Sequence, residues 1–440
     1  MIIAYRFGSS LMNIATLLFW SAGAVVVYAY AIFPLLLAVL SRCFGEHAEP
    51  EEGAPGPPPL PRVAMVVAAY NEARVLEAKL RNSWQIDYPA DRFEILIGSD
   101  GSTDATGDIL KGCGDSRLRA FLFPDRRGKI SILNDLLAQV DADIVVMSDA
   151  NTVFEPGAVR KMVRHFQDPR IGCVSGELVL EQEGGVSGEG IYWKYEGWIK
   201  RNESRLGFLI GCNGGIFALR RELYRDLPAS TIVEDFVLSM SVLLQGYRVR
   251  FEPQARAVEP ACASSGAEMV RKIRIGAGGW QALELTRPLL HPRHGLVAFA
   301  FWGHKVVRWL VPFCLALALI SNACLLGSVL YDSLMALQAS GLLIAAWVYL
   351  SPPHGPALKV FRPISYFYLM NYSLFCGFLR YVFKTQRVTW ERANQADAML
   401  VTDLPTLEST PAAPAIVPAA GEGGRTLPGE GPHAHTTVSR

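Results

Sequence analysis

No C-x-x-C pair occurs in this chain of 440 residues, although it has 8 cysteines. Cys43, Cys113, Cys173, Cys212, Cys262, Cys314, Cys324 and Cys376 are scattered. That excludes zinc-ligand spacing and a dense disulfide framework, and leaves reduced thiols in a cytosol-facing domain as the simplest reading. Excess charge is also missing: 42 basic against 41 acidic residues leave a net +1, so nucleic acid is not an expected partner. No G-x-G-x-x-G follows a strand-like run and no G-K-[ST] is present, which removes the fingerprints of dinucleotide and P-loop sites. Charged side chains of either sign are absent between Arg6 and Arg42.

That charge-free stretch is longer than the ~20 apolar residues a membrane crossing needs, and longer than the ~7–15 of a signal's apolar region. Residues 1–45 are therefore expected to be a retained N-terminal anchor. Further charge-poor runs follow Arg308 as far as Asp332, then cover 333–350 and 364–383, the last interrupted only by Arg380. They predict a C-terminal cluster of about three crossings over 309–384, followed by a short segment at 385–404. Residues 291–308 mix apolar and basic side chains with Trp302, and Trp309 follows directly, as a helix at the lipid interface does. Residues 46–62, rich in Pro, Gly and Glu, read as an extended linker, and 405–440 as a disordered tail. Basic residues at Arg293, Lys305, Arg308, Lys359 and Arg362 point to a cytoplasmic side. Lys384, Arg387 and Arg392 set the same rule against the segment count at the C-terminal end.

Between the anchor and that cluster, residues 63–290 have ordinary charged content. VAMVVAA at 63–69, FEILI at 93–97 and DIVVM at 143–147 suit buried strands. Residues 72–84, 102–110 and 130–137 read as helices, the second with Ser102, Thr103 and Asp104 as capping candidates. This alternation predicts an α/β domain, a mostly parallel sheet flanked by helices. Ligands of such sheets sit beyond the carboxyl ends of the strands, which selects Tyr70, Asn71 and Glu72, Asp100, and Asp149.

In chain order the sequence carries VAAYNE (67–72), SDGSTDAT (99–106), RRGKISILN (126–134), MSDAN (147–151), GCNGGIFALRR (211–221) and VEDFVLSM (233–240). GYRVRFEPQA (246–255) and RKIRIGAGGWQAL (271–283) follow. The ordered set resembles glycosyltransferase family 2, in its membrane branch of cellulose, hyaluronan and poly-N-acetylglucosamine synthases. The resemblance implies a GT-A-like fold and transfer of a sugar from a nucleotide-diphosphate donor to a saccharide or a polyprenyl- or glycolipid-linked acceptor. It also implies a bacterial inner membrane with the catalytic domain in the cytoplasm, and polysaccharide-export partners.

Each motif has a physical reading beside that resemblance. Asp100 either accepts hydrogen bonds from the nucleoside or forms an Asp-Gly turn. Asp149 suits Mg²⁺ or Mn²⁺, which neutralises the departing diphosphate, or caps a helix. It opens the family's D-x-D signature, whose second acid is here Asn151. The basic loop before Lys129, at a helix start, favours phosphate or is simply solvated. By resemblance Lys129 approaches the donor, with Asn134 shaping the site. A carboxylate taking the acceptor hydroxyl's proton is implied at Asp235, with Glu234 as fallback, although adjacent acids at a helix start also cap it. Cys212 and Asn213 become acceptor-side candidates, in a glycine-rich stretch that tight packing also explains. Relatives carry Q-x-x-R-W where this chain has Arg271, Arg274 and Ile275. Arg274 remains a diphosphate candidate, Trp280 stands nearby for the acceptor, and a single transfer or short product enters as an alternative to processive synthesis. A catalytically silent nucleotide-sugar-binding subunit is the reading from another class.

Overall fold

The computed structural model describes residues 2–46, 60–181, 188–260, 265–351 and 356–387. Most of the expected linker at 46–62, most of the segment at 385–404 and all of the tail at 405–440 lie outside the described residues. The described strands are β1 (Val63–Ala69), β2 (Phe93–Asp100), β3 (Leu118–Phe123), β4 (Ile144–Met147), β5 (Val153–Phe154), β6 (Ile171–Glu181), β7 (Phe217–Arg220) and β8 (Arg248–Pro260). They form one sheet in the order β3-β2-β1-β4-β7-β6-β8-β5.

β1 to β4 are parallel to one another. β7 then runs antiparallel to both β4 and β6, β6 and β8 are parallel, and β5 is antiparallel to β8. The sheet is thus mixed but mostly parallel: β6 and β8 run in the same direction as β1 to β4, and only β7 and β5 are reversed. β8 (RVRFEPQARAVEP) alternates charged and apolar residues, as a strand with one less-buried face does.

β1 shows why its half is apolar throughout. Val63, Met65 and Val67 point to one face and pack with Leu76, Leu80, Val159 and Met162. Ala64 and Val66 point to the other and pack with Ile132, Leu133 and Leu136 of the helix Lys129–Ala138. Side chains alternate along a strand, so cover on both faces demands an uninterrupted apolar run. The second core continues past the sheet to Phe33 and Leu37 near the N-terminus and to Phe301, Val306 and Trp309.

Those last residues belong to long helices. Among the described residues three are long and apolar enough to cross a membrane: Ser10–Phe44, Leu296–Ala323 and Val329–Leu350. Leu11, Leu17, Trp20, Leu35 and Val39 on the first, and Val329, Leu337, Leu343, Trp347 and Leu350 on the last, are exposed. Hydrocarbon accepts such a surface and water penalises it.

The borders of these helices differ from those read off the charge pattern. Residues 291–308 do not form a separate interfacial helix: after short turns ending at Gly295, the helix starts at Leu296 and runs through a π turn at Trp302–Val306 to Ala323. It ends well before Asp332, because Gly327 takes a φ of +111° and the Ser328 side chain caps the next helix. The expected crossing at 364–383 falls in the helix Pro356–Val382, which is not among the three long apolar helices. It packs on Ser265–Thr286 and on Val329–Leu350.

Candidate active site

β2, β1 and β4 are parallel neighbours, so their carboxyl ends emerge side by side. After β1, Asn71 adopts φ +55° and its Oδ1 accepts from the Thr103 N–H at 2.8 Å. The Glu72 N–H donates to Thr106 Oγ1 at 2.9 Å. The segment after β1 is thereby stitched to the loop after β2. Tyr70 lies under the Arg126 guanidinium, 3.8 Å from its ring centroid.

Asp100 ends β2 and is only 4% exposed. Its Oδ1 accepts from the Arg127 N–H at 2.6 Å and its Oδ2 from the Gly128 N–H at 2.8 Å. Both carboxylate oxygens are therefore engaged by the basic loop. Gly128 has φ +92°, a conformation that L side chains resist, and precedes Lys129, the first residue of its helix. Asp100 thus aims Lys129.

The Lys129 ammonium meets Asp149 Oδ1 at 2.6 Å and also pairs with the carboxylate of Glu234. Burial works against its charge, yet Asp149 and Glu234 more than offset that and hold Lys129 above its usual range. Glu234 and Asp235 open the helix Glu234–Leu244. Asp235 is raised to about 6, first by burial and next by the charge of Glu234. Gly214 backs onto it: a Cβ there would lie 3.2 Å from Asp235 Oδ2. The Asp149 and Glu234 carboxylates therefore share one ammonium, with Asp235 beside them.

The helix Ser265–Thr286 holds the approach to Glu234. Arg274 donates to the Ile232 carbonyl at 3.3 Å. The side chain of Gln281 accepts from the Ile232 N–H at 2.9 Å and donates to the Ser230 carbonyl at 2.8 Å.

On the far side of Asp149, Asn151 Nδ2 donates to Glu259 Oε1 at 3.1 Å, and pairing of Val153 with Val258 brings Glu259 to this turn. Burial first, then the charge of Asp149, raises Glu259. Lys79 lies beneath the same turn, 1% exposed, and burial pulls it down to about 7 with Asp149 opposing. Lys79, Gln281 and Glu259 were not singled out from the sequence. A signal existed for Lys79, which shares one helix stripe with Val75, Leu76, Leu80 and Ser83, all buried. Gln281 and Glu259 carry no comparable mark, since their partners are remote in sequence.

The other expected residues make contacts of their own. Asn134 donates to the Leu227 carbonyl at 2.9 Å and accepts from the Tyr224 hydroxyl, clasping that segment. Cys212 is buried, its sulfur 3.6 Å from that of Cys173. Asn213 accepts from Lys200 and donates to the Gly176 carbonyl at 2.6 Å. Trp280 packs with Trp309 and Phe378, centroids 6.1 and 5.0 Å away.

No group of three or more His, Cys, Asp or Glu side chains placed to hold a metal occurs among the described residues. Asp149 with Asn151 and Glu259 offers only oxygen donors for a cation, few in number. That set fits Mg²⁺ or Mn²⁺ completing its shell with phosphate oxygens and water, and does not fit a metal caged by protein alone.

Residues 64–227 match the sequence model of Glycosyl transferase family 2. Poly-beta-1,6-N-acetyl-D-glucosamine synthase of Staphylococcus aureus is 27% identical over 231 residues, 50% of this chain and 55% of the relative. The synthase of the same name from Staphylococcus epidermidis is 25% identical over 276 residues, 60% of this chain and 63% of the relative. The chain thus aligns with less than two thirds of the length of either. Among solved structures, a mannosyltransferase from Pyrobaculum calidifontis in complex with GDP-Man and Mn²⁺ superposes with a TM-score of 0.65 at 22% identity, over 86% of this chain and 100% of that one. The fold is that of GT-A glycosyltransferases.

Proposed function

We propose that this chain, which carries a glycosyl transferase family 2 domain, is an inverting, metal-assisted glycosyltransferase of polysaccharide or glycolipid synthesis. The donor is a nucleotide-diphosphate sugar and the acceptor a saccharide or a lipid-linked saccharide. The helices suited to crossing lipid support a membrane location; the bacterial origin of the synthases that the chain resembles is what supports a bacterial plasma membrane, with the sheet domain proposed on the cytoplasmic side. One observation carries the reading: Lys129 is clasped between Asp149 and Glu234, with Asp235 alongside.

The donor diphosphate would enter at the strand ends, where the Lys129 ammonium trades part of its contact with Asp149 and Glu234 for phosphate oxygens. Arg274, beside Ile232, approaches from the opposite helix. Asp149, with Asn151, would hold Mg²⁺ or Mn²⁺, which when bound neutralises charge on the nucleoside diphosphate as it departs. The acceptor hydroxyl gives its proton to the Asp235 carboxylate and its oxygen bonds to the anomeric carbon. The bond from that carbon to the diphosphate oxygen breaks, the electron pair leaves with the nucleoside diphosphate, and configuration inverts. Inversion requires the hydroxyl to attack the face of the sugar opposite the departing diphosphate, so Asp235 would serve the attacking oxygen and Asp149 the leaving diphosphate. A base held near 6 is ionised at neutral pH yet more basic than an ordinary aspartate. Gly214 leaves open the space in front of it, and Asn213 anchors that backbone through the Gly176 carbonyl, with Cys212 and Asn213 on the acceptor side.

A panel of radiolabelled nucleotide sugars offered to purified membranes, with product sizing, tests the reading. Asp235→Asn is expected to abolish transfer while nucleotide binding persists. Undiminished transfer by that variant removes the base assignment, and a single added sugar removes the polymerase version.

A further inference from the structure

We infer that Lys79 is a positioning residue for this transfer, its buried ammonium clamping both ends of the turn that carries Asp149. The inference rests on the reading of Asp149 given above. Lys79 projects from the helix Ala73–Trp84, and its Nζ donates to Ser148 Oγ at 2.7 Å and to the Thr152 carbonyl at 2.7 Å. Its third side is covered by the Phe154 ring, with the centroid 4.9 Å away. Ser148 and Thr152 immediately flank the three residues Asp149, Ala150 and Asn151, and the Thr152 N–H closes the turn onto the Asp149 carbonyl at 3.3 Å. One ammonium therefore spans the base of the turn, while the carboxylate it supports points to Lys129 on the other side.

Sealing a lysine inside a sheet-and-helix core is costly, and both hydrogen-bond acceptors here are neutral oxygens, so packing alone would favour leucine or methionine. Lysine adds two directed bonds to a segment with no regular ladder of its own between β4 and β5. Asn82, one turn further along the same helix, extends the support: its Oδ1 accepts from the Phe154 N–H and its Nδ2 donates to the Phe154 carbonyl, each at 2.8 Å. The helix thus grips the chain from 148 to 154. Asp149 is the one carboxylate in that stretch, and its oxygens must meet the donor within a fraction of an ångström.

The test uses the full chain in lipid nanodiscs. Mn²⁺ binding is followed by electron paramagnetic resonance with UDP or GDP, whichever the wild type takes, alongside donor kcat and KM. Lys79→Met fills the same space without the two bonds. It should melt within a few degrees of wild type yet lose about 100-fold in kcat/KM and about tenfold in Mn²⁺–nucleotide affinity, the scale of a reacting group misplaced by an ångström. Ser148→Ala, which keeps the lysine, should show a smaller loss of the same kind, and the double variant should be no worse than Lys79→Met alone. If Lys79→Met fails to fold, Ser148→Ala decides by itself. Wild-type affinity and kcat in the folded variants, or a fall in melting temperature with unchanged turnover per folded molecule, overturns the inference. Asp149→Asn serves as the control: if it keeps full Mn²⁺–nucleotide affinity, or the wild type binds neither nucleotide, the reading of Asp149 fails and takes this inference with it. If Asp149→Asn loses affinity while Lys79→Met keeps it, only the clamp is wrong.

Discussion

Replacing Asp235 by Asn should stabilise the protein while abolishing its proposed activity. Asp235 is raised from the ordinary 3.8 to about 6, because burial and the neighbouring Glu234 both disfavour its charge. At about 1.4 kcal/mol per pH unit, ionising it in the folded state costs on the order of 3 kcal/mol relative to the unfolded chain. Allowing for the part of the side chain that water reaches, about 2 kcal/mol is the working figure. The sign follows from the raised value. Below the unfolded pKa the carboxyl is neutral in both states and no penalty exists. The penalty grows as pH rises through the window from about 4 to 6 and is complete above it. Asparagine keeps the shape and never pays it. In EDTA-treated protein the Asn variant should therefore melt about 4–8 °C above wild type at pH 7.5, taking a domain of this size to gain ~2–4 °C per kcal/mol. The gap should close progressively below pH 6 as wild-type Asp235 takes up its proton. Intrinsic-fluorescence melts of both proteins across pH 4–8 give the comparison. A variant no more stable than wild type at pH 7.5, or a gap that does not change with pH, refutes the burial argument.

Other substitutions probe the same cluster. Lys129→Met leaves Asp149 and Glu234 without their shared ammonium and should cost about 2 kcal/mol at pH 7.5, as read from thermal melts. Asp100→Ala removes the acceptor of two backbone N–H groups and frees the loop that aims Lys129, so nucleotide affinity measured by titration calorimetry should fall about tenfold. Mn²⁺ alone should bind weakly, given the sparse protein donors, and at least about tenfold more tightly once a nucleoside diphosphate is added, with EDTA reversing both. His304→Ala strips a fully buried ring from between two carboxylates and should destabilise the chain by about 3 kcal/mol, seen as a lower melting temperature in detergent.

The parallel half of the sheet was legible because burial on both faces forces uninterrupted apolar runs, and the carboxyl-end rule then pointed to Asp100 and Asp149 without further information. The far side of the sheet was not, since β7 is four residues long and β8 alternates charge with apolar side chains. Which residues act on one another was less legible still. Asp100 accepts a backbone N–H of the Lys129 loop on each oxygen, a structural role that its Asp-Gly pattern does not announce. Asn134 sits in a motif with Lys129 but faces the 224–227 segment, because five residues along a helix turn a side chain through more than a full circle. Helix ends differ from the charge-free runs for a similar reason. Charge-free runs mark what lipid tolerates, whereas helix ends are set by Gly327 and the Ser328 cap, which carry no charge at all.

The long apolar helix Leu296–Ala323 and the Asp235 side of the site are joined by one buried polar network. His304, at the π turn of the helix Leu296–Ala323, meets Glu203 through Nδ1 at 2.6 Å and Glu196 through Nε2 at 2.7 Å. Arg308, one turn on, meets Glu196 at 2.9 Å. Both glutamates belong to the helix Gly188–Arg205, and the second oxygen of Glu203 accepts from the Ile210 N–H at 3.1 Å, just before the glycine-rich loop. Lys200 of the same helix reaches Asn213, next to the Gly214 that faces Asp235. A buried charge network of this kind gains little over an apolar one in stability, but it tolerates few alternative geometries. An apolar seam would let the helices slide. Here a displacement of the helix Leu296–Ala323 by even one ångström would break hydrogen bonds to two carboxylates, one of which also fixes the loop in front of the proposed base.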